Sequence, residues 1–173
     1  PLDVCITFNY TAKYLSEREA ARFIAPEEAL AVLQRAEDAG LVHCATNTAN
    51  RIDYICNCCP CCCDILGVMT RLEDSSARVE SNVRAAVVVE ECLACGDCVE
   101  RCPVEAIALE DVALVSQERC IGCGLCATAC PSEAIVLERV TEQAPPADLR
   151  ELLTRIGGEK GRLEAFAENL YPG

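Results

Sequence analysis

The chain has 173 residues, enough for one compact unit or two small modules. Its 15 Lys and Arg against 28 Asp and Glu leave a formal charge of −13, which argues against a nucleic-acid or anionic-lipid binder. No run of 18 apolar residues exists, so no membrane span is expected, and the 51% hydrophobic fraction is inflated by 16 cysteines.

The first residue is Pro1 rather than methionine, which leaves open both a removed initiator and a start inside a longer product. Val4-Cys5-Ile6-Thr7-Phe8 predicts a strand, followed by an ambiguous stretch to Ile24. Pro26 opens a helix at its first position, with Glu27 and Glu28 in the first turn. Ala29, Leu30, Leu33 and Ala36 give that helix an apolar face, and Gly40 ends it. Residues 41–63 read as a cysteine-rich loop, followed by a short helix near Ile65–Leu72 and a polar link over 74–84. Apolar runs at Ala86–Val89, Ala106–Leu109, Val112–Val115 and Ala134–Leu137 predict four strands, with short helices at Asp97–Arg101 and Leu125–Ala129. Thr141–Asp148, with Pro145-Pro146, reads as a linker. Leu149, Leu152, Leu153 and Ile156 then form a helical stripe, Gly157-Gly158 breaks it, and Leu163, Phe166, Ala167 and Leu170 form another. Such an arm folds onto the preceding module or binds a partner subunit.

The strongest signal is a duplicated cysteine run. Cys92-x2-Cys95-x2-Cys98-x3-Cys102-Pro103 is followed by Cys120-x2-Cys123-x2-Cys126-x3-Cys130-Pro131, each cysteine 28 positions after its counterpart. Glu90, Glu105, Ala106 and Ile107 recur as Glu118, Glu133, Ala134 and Ile135. This is the spacing that binds a pair of [4Fe–4S] clusters, whose iron takes soft thiolate ligands. Gly96, Gly122 and Gly124 suit backbone that turns close to a cluster, and Pro103 and Pro131 help end the ligand-bearing helices. Paired four-cysteine zinc sites are the rival, but two x2-x2-x3 runs each ending in Cys-Pro are not the usual zinc spacing.

Over about residues 85–140 the chain resembles the bacterial-type dicluster ferredoxin family, both cysteine runs matching its motif without gaps. In that motif the fourth cysteine serves the other cluster. The resemblance therefore implies Cys92, Cys95, Cys98 and Cys130 at one cluster, and Cys120, Cys123, Cys126 and Cys102 at the other. It also implies an α+β, ferredoxin-like (βαβ)2 dicluster module with pseudo-twofold symmetry. The expected organisation is a cysteine-rich α/β segment at 1–84, the dicluster module at 85–140 and a helical arm at 141–173.

Eight cysteines lie outside that motif. Six fall within Ile55-Cys56-Asn57-Cys58-Cys59-Pro60-Cys61-Cys62-Cys63, and Cys5 and Cys44 complete the set. Structural disulfides fit poorly with the reducing, low-oxygen compartment that the clusters need, and six neighbouring cysteines are too many for simple packing. A metal site leads. Cys56-x2-Cys59-x2-Cys62 repeats the three-ligand spacing, with Leu66 where a fourth ligand would fall, so Cys44 or Cys5 would complete it. One extra iron–sulfur centre leads this reading, ahead of two centres or a larger cluster, and of zinc. The segment also looks like one found upstream of dicluster ferredoxin modules in longer proteins of anaerobes, which supports an iron–sulfur role and assigns no reaction. His43, the only histidine, could ligate iron, donate a proton or pack locally.

No dinucleotide loop, phosphate loop or nucleophile elbow is present. Two readings remain. The first is a cytoplasmic electron-transfer protein or subunit with two [4Fe–4S] clusters and a third centre, docking on a redox partner through that partner's basic patch. The second is a reductase whose Cys56–Cys63 centre is catalytic and fed by the clusters. Cys59-Pro60-Cys61 shares a triplet with ferredoxin-dependent thioredoxin reductase, whose remaining pattern is missing. A cluster-based sensor ranks third. Whether the chain oligomerises or joins a larger complex is left open at this stage.

Overall fold

The computed structural model describes residues 1–71 and 81–162. Most of the expected polar link and the second helical stripe, Leu163 to Leu170, lie outside the described residues. The elements are β1 (Ile6–Thr7), α1 (Asn9–Ser16), α2 (Pro26–Asp38), β2 (Val42–Ala45), β3 (Tyr54–Cys58) and α3 (Asp64–Arg71). They continue as β4 (Val83–Val87), α4 (Asp97–Arg101), β5 (Ile107–Leu109), β6 (Ala113–Val115), α5 (Leu125–Thr128), β7 (Ile135–Arg139) and α6 (Leu149–Glu159).

Two compact units divide the chain. One joins Pro1–Cys5, Ile24–Cys44 and Cys56–Gln143; the other joins Ile6–Phe23, Ala45–Ile55 and Ala144–Gly173. All 16 cysteines fall in the first unit.

In the first unit, α2 begins with Pro26 at its first turn beside Glu27 and Glu28, where negative side chains suit the helix N-terminus. Its buried residues are Val32 and Ala36, whereas Leu30 is 67% exposed. The expected face is thus rotated: Ala29, Val32, Leu33 and Ala36 recur at helical spacing, and Leu30 stands outside that stripe. Residues 41–63 are not one loop, because β2 and β3 cross them as neighbouring strands. The strand Tyr54–Cys58 shows no apolar alternation: its buried residue is Asn57, and Ile55, Cys56 and Cys58 are half-buried.

From β4 to β7 the order strand–helix–strand occurs twice. β4 pairs antiparallel with β7, Ala85 opposite Leu137, and β5 pairs antiparallel with β6, Ala108 opposite Leu114. Each first strand therefore pairs with the second strand of the other repeat. The 28-residue offset carries into the backbone. Val88 N–H donates to Ala134 O and Ser116 N–H to Ala106 O, both at 2.8 Å. Glu105 and Glu133 share positive φ, at 52° and 56°. β4 starts at Val83, three residues before the expected run, and Val89–Glu91 forms a 3-10 turn instead. The core of this small mixed α/β unit contains Val42, Leu66, Met69, Val104, Leu125 and Ile135 together with Cys98, Cys120 and Cys126.

In the second unit, Ile6 and Thr7 of β1 pair with Ile55 and Tyr54 of β3. Ala49 and Asn50 N–H groups donate to Pro146 O and Ala147 O at 2.8 and 3.0 Å. α6 is capped by Asp148, whose carboxylate accepts from Glu151 N–H at 2.9 Å. It runs through Gly157-Gly158 rather than breaking there. Each glycine costs a helix interior about 1 kcal/mol, but both sit in the last turn after a capped start, with Arg155 paired to Glu151 at 3.3 Å.

Candidate metal centres

The chain brings Cys92, Cys95, Cys98 and Cys130 around one small hollow. Cys102, Cys120, Cys123 and Cys126 surround another. Their linings correspond by the same offset: Ala134 and Ile135 line the first hollow, Ala106 and Ile107 the second. The second is apolar apart from sulfur and backbone, and the first adds one polar side chain, Ser132. The short helices follow directly from the glycines that precede them: Gly96 and Gly124, at φ 88° and 84°, turn the chain into α4 and α5, which carry Cys98 and Cys126.

Electrostatics show the same grouping. Burial pushes the Cys98 thiol up, and Cys95, Cys130 and Cys92 push it further. Burial likewise pushes Cys126 up to about 12, with Cys123, Cys102 and Cys120 adding to it. Thiols crowded this way resist ionising alone, and a bound cation reverses that preference. Backbone donors are already aimed at sulfur. Ala106 N–H donates to Cys102 Sγ at 3.2 Å and Ala85 N–H to Cys120 Sγ at 3.5 Å. At Cys130 slight burial raises the thiol, but the Ser132 hydroxyl and the N–H groups of Ser132, Ala134 and Ile135 outweigh it and hold the thiol below its ordinary value.

Residue 122 shows how tightly the second run is built. Its φ is +69°, and a side chain there would overlap the Val83 carbonyl oxygen where β4 begins. Only glycine meets both demands. The equivalent residue in the first run is Ala94, at φ 51°.

The remaining eight cysteines divide differently from the expected frame. Cys56-x2-Cys59-x2-Cys62 does not come together as one set. Cys56 is pushed up by burial and by Cys5 and Cys63. Cys58 is pushed up to about 12 by burial, then by Cys63, Cys62, Cys56 and Cys5. Cys44 is pushed up by burial, then by Cys63, Cys56 and, from the second quartet, Cys123. Cys63 thus lies near Cys44, Cys56 and Cys58, Cys5 near Cys56 and Cys58, and Cys62 near Cys58 as well; Cys44, Cys58 and Cys63 pack on the core. Cys59 is instead disulfide-bonded to Cys61. Among the described residues, Cys59, Cys61 and Cys62 are the trio with ligand atoms within 4.8 Å of one another. The physical reason is the strand. Residues i and i+2 share a face, so Cys56 and Cys58 turn together, and the strand ends at Cys58. The Cys59-Pro60-Cys61 triplet marked that pair in the sequence, and no comparable signal marks Cys63.

His43 is exposed, and its Nδ1 lies 2.5 Å from Asn57 Oδ1. Asn57 Nδ2 donates to Val4 O, so its Oδ1 accepts and His43 Nδ1 carries the proton. The histidine thus has a local partner, while the buried Asn57 links β3 to residue 4 and to β2. Pattern reading overlooked Asn57.

Residues 113–136 match the family described as 4Fe-4S binding domain. That stretch holds Cys120, Cys123, Cys126 and Cys130. The match indicates at least one [4Fe–4S] cluster. With its small two-stranded sheets, the unit is consistent with a ferredoxin-like iron–sulfur domain, and its cysteine motifs suggest an electron-transfer role. No curated protein matches the chain. No helix of the described residues is long and apolar enough to cross a membrane.

Proposed function

We propose that the chain is an electron-transfer iron–sulfur protein or subunit with two [4Fe–4S] clusters and a third iron–sulfur centre. The observation that carries this reading is the pair of matched hollows, each walled by four cysteines, three from one run and one from the other. Four thiols, apolar walls and N–H groups directed at sulfur fit a thiolate-bound cluster in both places. Such a cluster takes up and releases one electron at a time, at a potential set by hydrogen bonds to its sulfurs and by solvent exposure.

The chain's own residues divide the work. Cys92, Cys95, Cys98 and Cys130 hold one cluster, and Cys102, Cys120, Cys123 and Cys126 the other. Ile107, Ile135 and their neighbours exclude water. Cys5, Cys44, Cys56, Cys58 and Cys63 hold the third centre. This keeps three of the residues expected for that role and moves Cys59 and Cys62 out of it. Cys44 feels both Cys56 and Cys123, which supports a third centre beside the second quartet. Glu37, Asp38, Asp97 and Glu100 line a recess beside α4, and Cys95 is exposed nearby in sequence. An acidic recess next to a ligand helix suits a redox partner with a basic patch, in the cytoplasm of an anaerobe.

Iron and acid-labile sulfide per chain test the reading after anaerobic purification. About eight irons correspond to two cubanes, and about twelve to a third. Cys98→Ala and Cys130→Ala should remove the same spectroscopic signal, and Cys102→Ala the other. Loss of one signal from both Cys98→Ala and Cys102→Ala, with the second intact, overturns the crossed ligation. Iron below about four per chain overturns the function.

A further inference from the structure

The trio set apart from the proposed clusters has a chemistry of its own. Cys59 and Cys61 are joined as a disulfide, with only Pro60 between them, and Cys62 Sγ lies 3.6 Å from Cys59 Sγ. Cys61 and Cys62 are exposed, while Cys59 is half-buried. The loop is tethered at both ends of this pair. Cys62 and Cys63 N–H groups donate to Cys59 O at 3.3 and 3.0 Å. The Arg71 guanidinium donates to Pro60 O and Cys61 O at 3.2 and 3.1 Å. Helix α3 can press on the loop because residue 67 is glycine: a Cβ there would stand 3.2 Å from Pro60 O. These tethers keep the two sulfurs neighbours when their bond is open, which a reversible pair requires.

We propose that Cys59 and Cys61 form a redox-active dithiol–disulfide pair that exchanges with an accessible disulfide substrate. This goes beyond electron carriage, because the pair handles two electrons and makes and breaks covalent bonds. In the reduced pair, the exposed Cys61 sulfur attacks one sulfur of the substrate disulfide. A Cys61–substrate S–S bond forms, the substrate S–S bond breaks, and the first substrate thiolate leaves and takes a proton. Cys59 sulfur then attacks Cys61 sulfur. The Cys59–Cys61 bond forms, the mixed disulfide breaks, and the second substrate thiolate leaves with a proton. Two protons leave the pair and two arrive on the products. The substrate gains two electrons and the pair loses two. Two electrons from a one-electron reductant, oxidised twice, and two protons from water return the pair to thiols. The third sulfur, on Cys62, makes a thiophilic metal ion the rival occupant of this loop.

The test uses the full chain purified anaerobically. It is equilibrated in dithiothreitol redox buffers, quenched with iodoacetamide and mapped by mass spectrometry. Cys59 and Cys61 should pass together from protected to alkylated in one two-electron step. With reduced methyl viologen as donor, the chain should reduce oxidised glutathione or insulin disulfides, with two viologens oxidised per disulfide. Turnover confined to glutathione assigns a low-molecular-weight disulfide, and turnover confined to insulin assigns a protein disulfide. Cys59→Ser and Cys61→Ser should each cut the rate by about tenfold or more, with iron content and cluster spectra retained. Variants that keep the parental rate overturn the proposal, as does absence of turnover with both probes. So does a pair shielded from iodoacetamide until a chelator strips iron or zinc. The alkylation step does not depend on cluster content, so its failure is distinct from failure of the electron-transfer reading.

Discussion

At the scale of single residues, backbone crowding sets the sharpest demand. Gly122 meets the Val83 carbonyl and a positive φ together, whereas Gly161, at φ +63°, has nothing within 4 Å of a would-be Cβ. Gly161→Ala should cost about 1 kcal/mol, the usual strain of a left-handed alanine, while Gly122→Ala should cost about 3 kcal/mol or more. Denaturation midpoints of the two variants check the contrast, and equal losses would contradict it. The thiols add a pH dependence. In the metal-stripped chain, burial and neighbouring cysteines raise Cys58 and Cys126 from 9.0 to about 12. The folded state then holds protons that the unfolded state releases above pH 9.0. Their contribution to stability is complete below that value and is lost as pH rises toward about 12. Melting temperatures of the chelator-treated chain should fall across that window; a rise would refute the assignment.

At the scale of elements, α2 and α4 are joined through one side chain. Arg101 donates to Asp38 O at 3.1 Å and to Glu37 O, two carbonyls at the end of α2. A guanidinium placed there satisfies helix-terminal acceptors and complements the negative end of the helix dipole. Arg101 is also the last residue of α4, which carries Cys98, and it precedes Cys102. Arg101→Ala should lower stability by about 2–3 kcal/mol, and Arg101→Lys should recover part of that because an ammonium cannot fork across two carbonyls. Urea midpoints and the rate at which the visible absorbance bleaches should move together in these variants. Bleaching unchanged in Arg101→Ala would mean that α2 plays no part in holding the sites.

At the scale of the molecule, charge sets how partners are met. The net −13 and the recess of Glu37, Asp38, Asp97 and Glu100 favour fast, salt-sensitive encounter with a basic surface. Electron transfer to a cationic protein acceptor should slow by about tenfold between low and physiological ionic strength. Asp97→Lys with Glu100→Lys should remove most of that salt dependence without changing iron content. Stopped-flow rates measured over a salt series decide it, and a double variant with the parental slope would move the docking face elsewhere.

What the sequence determined by itself follows from local chemistry. A 28-residue repeat of Cys-x2-Cys-x2-Cys-x3-Cys-Pro holds the thiols and their loop spacing within a dozen residues, so both runs could be read before any folding, while the crossing of each fourth cysteine was implied by the family resemblance. Pro26 with Glu27 and Glu28 likewise marked the start of α2 within one turn. The tertiary structure alone decided the fate of the other eight cysteines. Spacing along a chain is degenerate once six ligands fall within eight residues. Folding pairs Cys59 with Cys61 beside Cys62, and brings Cys63 near Cys44, Cys56 and Cys58, with Cys62 near Cys58 as well. The same holds for α6, where two glycines looked like a break, and capping and pairing at the far end of the helix carried it through. Local pattern names the atoms able to bind or react; only packing, which brings residue 44 to residue 63 and residue 5 to residue 56, decides which of them meet.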